Sequence, residues 1–427
     1  MDPFNLLSIL ITLAAVFAWA NHRYLRLPAT IGVMVISILF SLTLVLLGRA
    51  GFEAGSSLSG ILEKVDFREA LLHGMLGALL FAGALHLNLN DLREKRWVIF
   101  ILATGGVLIS TAVVGLGSFL LFEALGLGVP LIHCFLFGAL ISPTDPIAVG
   151  AILRTAGVPD SLLIKITGES LFNDGVGVVL FILILETASG TGGHGAAAAT
   201  GPEIQMLEQG IGDVFRLVSL EVGGGILFGG LVGWVVYHML ARVDNYQVEI
   251  LLTVAIVTGG YALAQALHLS GPLAMVVAGL LIGNHGRSFA MSPVVVEHLD
   301  MFWELVDEFL NAILFVLIGL EVLLVDFEAR ILWAGLTAIP LVILARLISV
   351  AAPIQILRRW RTFSPHAVKI LTWSGLRGGI SVALALSLPP GPVRDKLVSV
   401  TYVIVVFSIV VQGLTVGPLA RRLAAGR

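Results

Sequence analysis

Four polar residues share about one and a half turns of an otherwise apolar segment, in the string G-E-S-L-F-N-D-G at residues 168–175: Glu169, Ser170, Asn173 and Asp174. At about 100° per residue, these side chains fall within roughly 140° around a helix axis, so they form one polar face. Ionisable side chains at membrane depth are costly unless paired or hydrated, and they usually mark functional sites. The alternative is a hydrogen-bonding patch that only joins helices, which two acids in one turn make less favourable.

A second string, I-S-P-T-D-P-I at residues 141–147, lies in the middle of another apolar run. Pro143 and Pro146 bracket Thr144 and Asp145, and each proline removes an amide donor and clashes with the preceding turn. The helix should therefore break here and leave carbonyl oxygens free beside a carboxylate, which suits a hard cation. Broken helices at membrane depth line cavities or ion sites. The simpler alternative is a proline kink capped by Thr144 and Asp145.

Two arginines also lie within apolar runs. Arg377 precedes Gly378 and Gly379 in S-G-L-R-G-G-I-S, where the glycines permit unwinding and the arginine needs an anion or a free helix C-terminus. Arg346 lies in V-I-L-A-R-L-I-S and is a candidate partner for Glu169. One of the two arginines could serve only in a structural ion pair.

The composition places these residues in a membrane protein. The chain has 427 residues, of which 57% are hydrophobic and 12% are charged, whereas a soluble domain has about 45–50% and 25%. Apolar runs of the length that spans a bilayer as a helix recur about thirteen times. They are too long and too uniformly apolar for barrel strands, so we predict an all-α polytopic membrane protein. The runs are 4–21, 28–48, 69–88, 98–122, 129–153, 161–186, 209–240, 247–267, 271–284, 304–325, 328–353, 366–388 and 397–418.

The order of the runs predicts an internal symmetry within a single transmembrane domain, 1–427. The interrupted fifth and twelfth runs are seven spans apart and would be antiparallel, as in two inverted six-helix repeats with crossed discontinuous helices. The first repeat would cover 4–186 and the second 247–418. A flexible linker, 187–208, rich in glycine and alanine, and a linking helix, 209–240, would join them.

Basic residues in the loops predict the orientation, with the N-terminus outside and the C-terminus cytoplasmic. The second loop, with Arg49, Lys64 and Arg68, runs against this distribution. The basic residues that carry the prediction are Arg23, Arg26, Arg93, Lys95, Arg96, Arg154, Arg242, Arg358, Arg359, Arg361, Arg421, Arg422 and Arg427.

Several classes of partner are not expected. The single cysteine, Cys134, allows no disulfide within the chain, and the ten histidines lack metal-ligand spacing. A phosphate-binding loop of the G-x-x-x-x-G-K-[ST] type is absent from the sequence, which argues against direct use of ATP. There is no basic stripe with interleaved aromatics, so a nucleic-acid partner is not expected. We expect no resident cofactor and no enzymatic activity.

Four strings together resemble the monovalent cation/proton antiporter superfamily, and in particular its prokaryotic NhaP-type sodium/proton antiporters, which are related to eukaryotic sodium/proton exchangers. They are S-P-T-D-P-I-A-V, G-E-S-L-F-N-D-G-V, L-I-G-L-E and G-L-R-G-G-I-S, and the resemblance covers essentially the whole chain. It implies an NhaA-like antiporter fold of thirteen helices in the cell membrane. Such proteins are usually homodimers with a dimerisation domain and a mobile core domain.

The resemblance also implies roles for individual residues. Asp174 would bind the ion and exchange the proton, with Asn173 before it. Thr144 and Asp145 would belong to the unwound crossing, and Ser170 would supply a further oxygen to the transported Na⁺. Glu169 resembles the acid that pairs with an arginine, here Arg346 or Arg377, and an asparagine at 173 is associated with electroneutral exchange. The chain departs from many relatives at Ala82, where F-A-G-A-L-H replaces F-E-G-A-L-H.

The function expected from these residues is exchange of H⁺ for a monovalent cation, for pH and sodium homeostasis. A carboxylate removed from water is unstable as a bare charge, so it binds either a proton or a cation, and each expels the other. Na⁺ is favoured, with Li⁺ and K⁺ as alternatives. An intramembrane aspartyl protease using Asp145 and Asp174 is a rival, although N-D-G does not supply the G-x-G-D context. A passive cation channel is another rival, although it needs no titrating site.

Overall fold

The computed structural model describes residues 3–49, 75–145, 149–150, 153, 156, 158, 160–188, 205–323, 328–360, 363–364 and 366–425. Every regular element within these residues is a helix. Residues 189–204 of the expected linker lie outside the described residues, as do Lys64, Arg68, Pro146, Arg154, Arg361 and Arg427. The principal helices are α1 (Pro3–Ala20), α2 (Ala29–Arg49), α3 (Leu76–Leu85), α4 (Leu89–Ala124), α5 (Leu131–Ile141), α6 (Asp160–Ala188), α7 (Gln205–Leu240), α8 (Tyr246–Ala266), α9 (Gly271–Leu281), α10 (Pro293–Leu320), α11 (Ala329–Leu357), α12 (Ala367–Trp373), α13 (Gly379–Leu386) and α14 (Pro392–Leu423).

Seven helices of the described chain are long and apolar enough to cross a membrane, judged by length and composition: α2, α4, α6, α7, α8, α11 and α14. Helices α3 and α5 are apolar but shorter. This pattern confirms the prediction of an all-α protein that crosses the membrane several times. Helix α10 has 28 residues but carries five acids between its N-terminus and its middle, at Glu297, Asp300, Glu304, Asp307 and Glu308.

Several helices begin where the sequence supplies a capping residue. Ser270 and Ser292 each precede a first-turn proline, and their hydroxyls accept hydrogen bonds from Leu273 and Val295 backbone amides. Asn245 caps α8 by accepting from the amides of Gln247 and Val248. Such side chains satisfy amides that have no partner within the helix, and proline is tolerated there because its missing donor is not needed.

The long helix α4 forms the support for the polar segments. It packs along α5, α6 and α11, so the Gly138 face of α5 lies directly against its backbone. A Cβ atom at Gly138 would lie 2.5 Å from the carbonyl oxygen of Thr111, so only glycine allows this approach. The side chain of Ser142 then reaches Ser110 at 2.9 Å, which fixes the end of α5 relative to α4.

The fifth and twelfth apolar runs are both interrupted. Helix α5 ends at Ile141 and residues 142–145 are not helical, while α12 and α13 are separated by residues 374–378. The two interruptions meet, because the amide of Asp145 donates to the carbonyl of Leu376 at 2.8 Å. A π-helical segment of α14, Ser408–Gln412, supports the contact from behind, where Ser408 Oγ accepts from the Arg377 amide at 2.9 Å.

Candidate functional site

Thr144, in the first interruption, is held by the polar face of α6. Asn173 donates from Nδ2 to Thr144 Oγ1 at 2.8 Å, and Asn173 Oδ1 accepts from the Thr144 amide at 3.2 Å. The hydroxyls of Thr144 and Ser170 share a hydrogen bond of 2.8 Å. Because Pro143 cannot continue the helical ladder, the side chains of α6 satisfy the backbone and the hydroxyl of Thr144 instead.

Glu169 lies at the base of this network and pairs with Arg346 of α11. The carboxylate oxygens Oε1 and Oε2 accept from Nη1 and Nη2, both at 2.7 Å, and Oε1 also accepts from Asn173 Nδ2 at 3.0 Å. Both partners are buried. Of the two arginines left open by the sequence, Arg346 is therefore the partner of Glu169. We call Thr144, Glu169, Ser170, Asn173 and Arg346 the polar cluster.

Arg377 occupies a different position, at the C-terminal end of α5. Its Nη1 donates to the carbonyl oxygens of Ser142 and Pro143 at 2.6 and 2.9 Å. These are carbonyls that the helix break releases, and a cation beside a helix C-terminus is favourable. The expectation that the break frees carbonyls is met in this geometry, but two of the oxygens are occupied by Arg377.

A cavity of about 50 Å³ lies between the two interruptions, α3, α6 and α10. A water molecule needs about 10–15 Å³ of such space, so the cavity has room for several waters or a partly hydrated cation. Most of its wall is apolar, from leucines of α3, α6 and α10. Its polar lining consists of Thr144, Asp145, Asp174, Asn311 and Ser381.

Asp174 lines this cavity and is only 4% exposed. It lies close enough to Asp145, Glu169 and Arg377 for their charges to act on it. Side chains from the same turn of α6 therefore lie in two different environments, the polar cluster and the cavity. Glu169 and Asn173 face the polar cluster, whereas Asp174 faces the cavity.

Asp145 is less buried than Thr144 and lies against the first turn of α13. A Cβ atom at Gly378 would be 2.5 Å from Asp145 Oδ2, so the glycine makes room for the carboxylate. The N-terminus of a helix favours nearby negative charge, which stabilises Asp145 at this position.

The structure thus brings Thr144, Asp145 and Asp174 to one cavity. Ser170 and Asn173 are hydrogen-bonded behind Thr144 and are not among the residues that line it. Ala82 of α3, where many relatives carry an acid, is buried and is not among the residues that line the cavity. Its neighbour Gly83 does line the cavity.

Three residues in or beside the cavity were not among the site residues predicted from the sequence. Asn311 and Ser381 line the cavity, and Asp307 lies one turn before Asn311, where its charge acts on Asp145. Asp300, Glu304, Asp307 and Asn311 are spaced four, three and four residues apart, which places them on one face of α10. That spacing was the available signal for Asp307. No comparable pattern points to Ser381.

Comparison with known proteins gives a consistent result. A family model described as "Sodium/hydrogen exchanger, transmembrane" matches residues 10–422. The chain is 47% identical to the Na(+)/H(+) antiporter NhaP of Pseudomonas aeruginosa, over 99% of this chain and 97% of that protein. It is 31% identical to the Na(+)/H(+) antiporter NhaH of Halobacillus aidingensis, over 98% and 96%. The fold matches the structure of the sodium proton antiporter MjNhaP1 from Methanocaldococcus jannaschii at pH 8 with a TM-score of 0.73 and 18% identity, covering 99% of both chains.

Proposed function

The chain belongs to the sodium/hydrogen exchanger family, and we propose that it is an antiporter that exchanges protons for sodium across the cell membrane. The observation that carries the proposal is the placement of Asp174. It is a buried carboxylate on the wall of a small cavity, beside Asp145 and the meeting point of two interrupted helices.

Exchange follows from competition at Asp174. Asp174 is almost fully buried, so its carboxylate is less well stabilised by water than in solution, and it takes up a proton or a cation. A cation entering from one side displaces the proton, and a proton entering from the other side displaces the cation. Coupling requires that Asp174 face one side at a time, and that the empty charged form cross poorly.

The other site residues have separable roles in this proposal. Asp145 and Thr144 contribute oxygens to the cation, while Ser170 and Asn173 hold Thr144 in position. The resemblance also implies that Ser170 supplies an oxygen to the cation. Because Ser170 does not line the cavity and its hydroxyl bonds Thr144, we propose that it acts on the cation through Thr144. Arg377 offsets the carboxylate charge from the end of α5.

The charges of the site favour exchange of one cation for one proton. Glu169 and Arg346 neutralise one another, and Asn173 carries no charge, so within the polar face at residues 169–174 Asp174 is the carboxylate left to titrate. One carboxylate holds one proton or one monovalent cation. The resemblance of the Asn173–Asp174 pair to those of electroneutral relatives supports the same stoichiometry.

The finer architecture belongs to the proposal as well. We place thirteen membrane helices in two inverted repeats, 4–186 and 247–418, joined by the linker 187–208 and the linking helix 209–240. The two interrupted helices that meet at Asp145 and Leu376 support this arrangement. The N-terminus would lie outside and the C-terminus in the cytoplasm, and the protein would form homodimers with a mobile core domain.

The remaining alternatives differ in the ion or in the chemistry. K⁺ or Li⁺ could bind the same oxygen ligands, and the family and the relatives' names favour Na⁺. A protease is not supported, since the family and these relatives are transporters rather than enzymes.

The test is transport by the purified full-length protein in proteoliposomes that contain a pH-sensitive dye. An imposed proton gradient should be dissipated on addition of Na⁺, with weaker responses to Li⁺ and K⁺. Asp174→Asn should abolish the response, because an amide neither titrates nor neutralises a cation. Equal rates with and without a clamped membrane potential would support one-for-one exchange.

A matched control is Asp395→Asn, an acid in the first turn of α14 that does not line the cavity. It should leave the response unchanged. Sodium-dependent proton flux that persists at the full rate in Asp174→Asn would refute the proposal.

A further inference from the structure

We propose that the hydroxyl of Ser381 is a direct ligand of the transported cation. The proposal rests on the function proposed above and names a residue of its binding site that the sequence did not identify. Ser381 is the third residue of α13, and it lines the same cavity as Asp174 and Asp145.

The first observation is that the Ser381 hydroxyl has no hydrogen-bond partner among the described residues. The residue is 1% exposed, and its Oγ forms no hydrogen bond with any described residue. Buried hydroxyls are normally satisfied, since the lost interaction with water must be replaced. A hydroxyl of a residue that lines a cavity able to hold an ion or water can meet that requirement when the cavity is occupied.

The position in the helix explains why Ser381 lacks the usual partner. Helical hydroxyls commonly donate to a carbonyl three or four residues earlier. Ser387, which caps the C-terminal end of the same helix, does so to Leu384 at 2.8 Å. For Ser381, the residue four positions earlier is Arg377, which lies before the helix and offers no helical carbonyl, and the residue three positions earlier is the N-cap Gly378, at φ −119° and ψ −158°.

The surroundings distinguish Ser381 from other unpartnered hydroxyls. In the described part of the chain, the hydroxyls of Thr372, Thr401 and Tyr402 also lack partners, but none of these residues lines this cavity. Within it the polar groups are few, and the rest of the wall is apolar. A hydroxyl oxygen has two lone pairs, and small hard cations bind such oxygens readily.

Because Ser381 is an uncharged ligand, its substitution should affect Na⁺ and H⁺ differently. Ser381 can stabilise a bound Na⁺ through its oxygen, but it carries no charge and does not titrate near neutral pH. Its removal should therefore weaken cation binding while leaving proton binding at Asp174 largely unchanged. A structural defect would instead lower the maximal rate for both ions.

The experiment compares full-length variants in proteoliposomes over a range of Na⁺ and pH. Ser381→Ala should raise the apparent KM for Na⁺ about three- to tenfold, as expected for loss of one polar contact. The maximal rate and the pH dependence at saturating Na⁺ should stay near wild type. Ser387→Ala, whose hydroxyl already bonds Leu384, is the matched control and should leave the KM unchanged.

Ser381→Cys separates ligation from packing. The thiol nearly preserves the volume of the side chain, but sulfur is a poor ligand for Na⁺. It should raise the KM as alanine does. Wild-type KM values in Ser381→Cys or Ser381→Ala would overturn the inference, as would an equal KM increase in Ser387→Ala. Absence of sodium-dependent proton flux in the wild type would instead overturn the proposed function.

Discussion

Arg346 and Glu169 form a two-pronged ion pair in which both nitrogen–oxygen distances are 2.7 Å. The planar guanidinium matches the carboxylate geometry, so the pair fixes the rotation of α6 relative to α11. Asn173 Nδ2 donates to the same carboxylate and also to Thr144 Oγ1, so the ion pair helps to fix the position of Thr144. The orientation of the first helix break is therefore tied to an ion pair that does not line the cavity.

Removing one partner of this pair should destabilise the protein strongly. Arg346→Gln leaves the buried carboxylate of Glu169 without its counter-charge, which costs about 3–5 kcal/mol. We expect a large decrease in the melting temperature of the detergent-solubilised protein. The double variant Glu169→Gln/Arg346→Gln should recover part of the loss, because no buried charge is left unpaired.

The partly exposed pair between Arg287 and Asp300 provides a control for this prediction. Exposed pairs contribute about 0–1 kcal/mol, so Arg287→Gln should change the melting temperature little. A double variant at 169 and 346 that is less stable than Arg346→Gln would contradict the argument.

Asn173→Asp should lower the stability of this protein more than Asn173→Ala does. The aspartate loses the amide donor to Thr144 and Glu169, and it places a second carboxylate where Nδ2 now lies 3.0 Å from Glu169 Oε1. The added repulsion should lower stability more at alkaline than at acidic pH, because protonation of either acid relieves it. Thermal melts of both variants across pH test this, and a fully stable, fully active Asn173→Asp would show that the polar cluster rearranges.

Gly378→Ala should impair transport by displacing Asp145. The added methyl group would approach Asp145 Oδ2 to 2.5 Å, and overpacking of this kind costs about 1–3 kcal/mol. The backbone of Gly378 has a negative φ, so the substitution adds no backbone strain. We expect a lower transport rate in proteoliposomes with the protein still folded.

Gly259→Ala is the comparison for this variant, because a Cβ atom there has no atom within 4 Å among its described neighbours. It should transport normally. Normal sodium affinity and rate in Gly378→Ala would mean that the exact position of Asp145 is not required.

Asp307→Asn should weaken the apparent affinity for Na⁺. Asp307 Oδ1 is buried without a hydrogen-bond partner among the described residues, its charge acts on Asp145, and Asn311 donates to its backbone carbonyl at 2.8 Å. Loss of one negative charge near the cavity should raise the KM for Na⁺ about two- to fivefold, with a smaller effect at high ionic strength.

Glu308→Gln removes an exposed acid from the adjacent position of α10 and serves as the control. It should have a weaker effect, because its charge is screened by solvent. Equal effects of the two substitutions would point to a general surface potential rather than to the face that Asp307 shares with Asn311.

The sequence identified the residues of the site because membrane depth makes ionisable side chains conspicuous. Glu169, Asp174, Arg346 and Arg377 interrupt runs that are otherwise apolar, and their cost in lipid makes a chance occurrence unfavourable. The interruption after α5 was predictable for a related reason, since proline removes a backbone donor wherever it occurs. These inferences depend on local chemistry alone.

Only the tertiary structure decided how the charges are paired. Glu169 and Arg346 are 177 residues apart, and nothing in their local strings distinguishes Arg346 from Arg377 as the partner. The choice depends on the packing of α4 against α6 and α11, which brings Arg346 to the polar face of α6 and Arg377 to the carbonyls of α5. Ser381 likewise looks like any helical serine until the fold places the residue on the wall of the cavity, because burial and the loss of a partner among the described residues are properties of the packed chain.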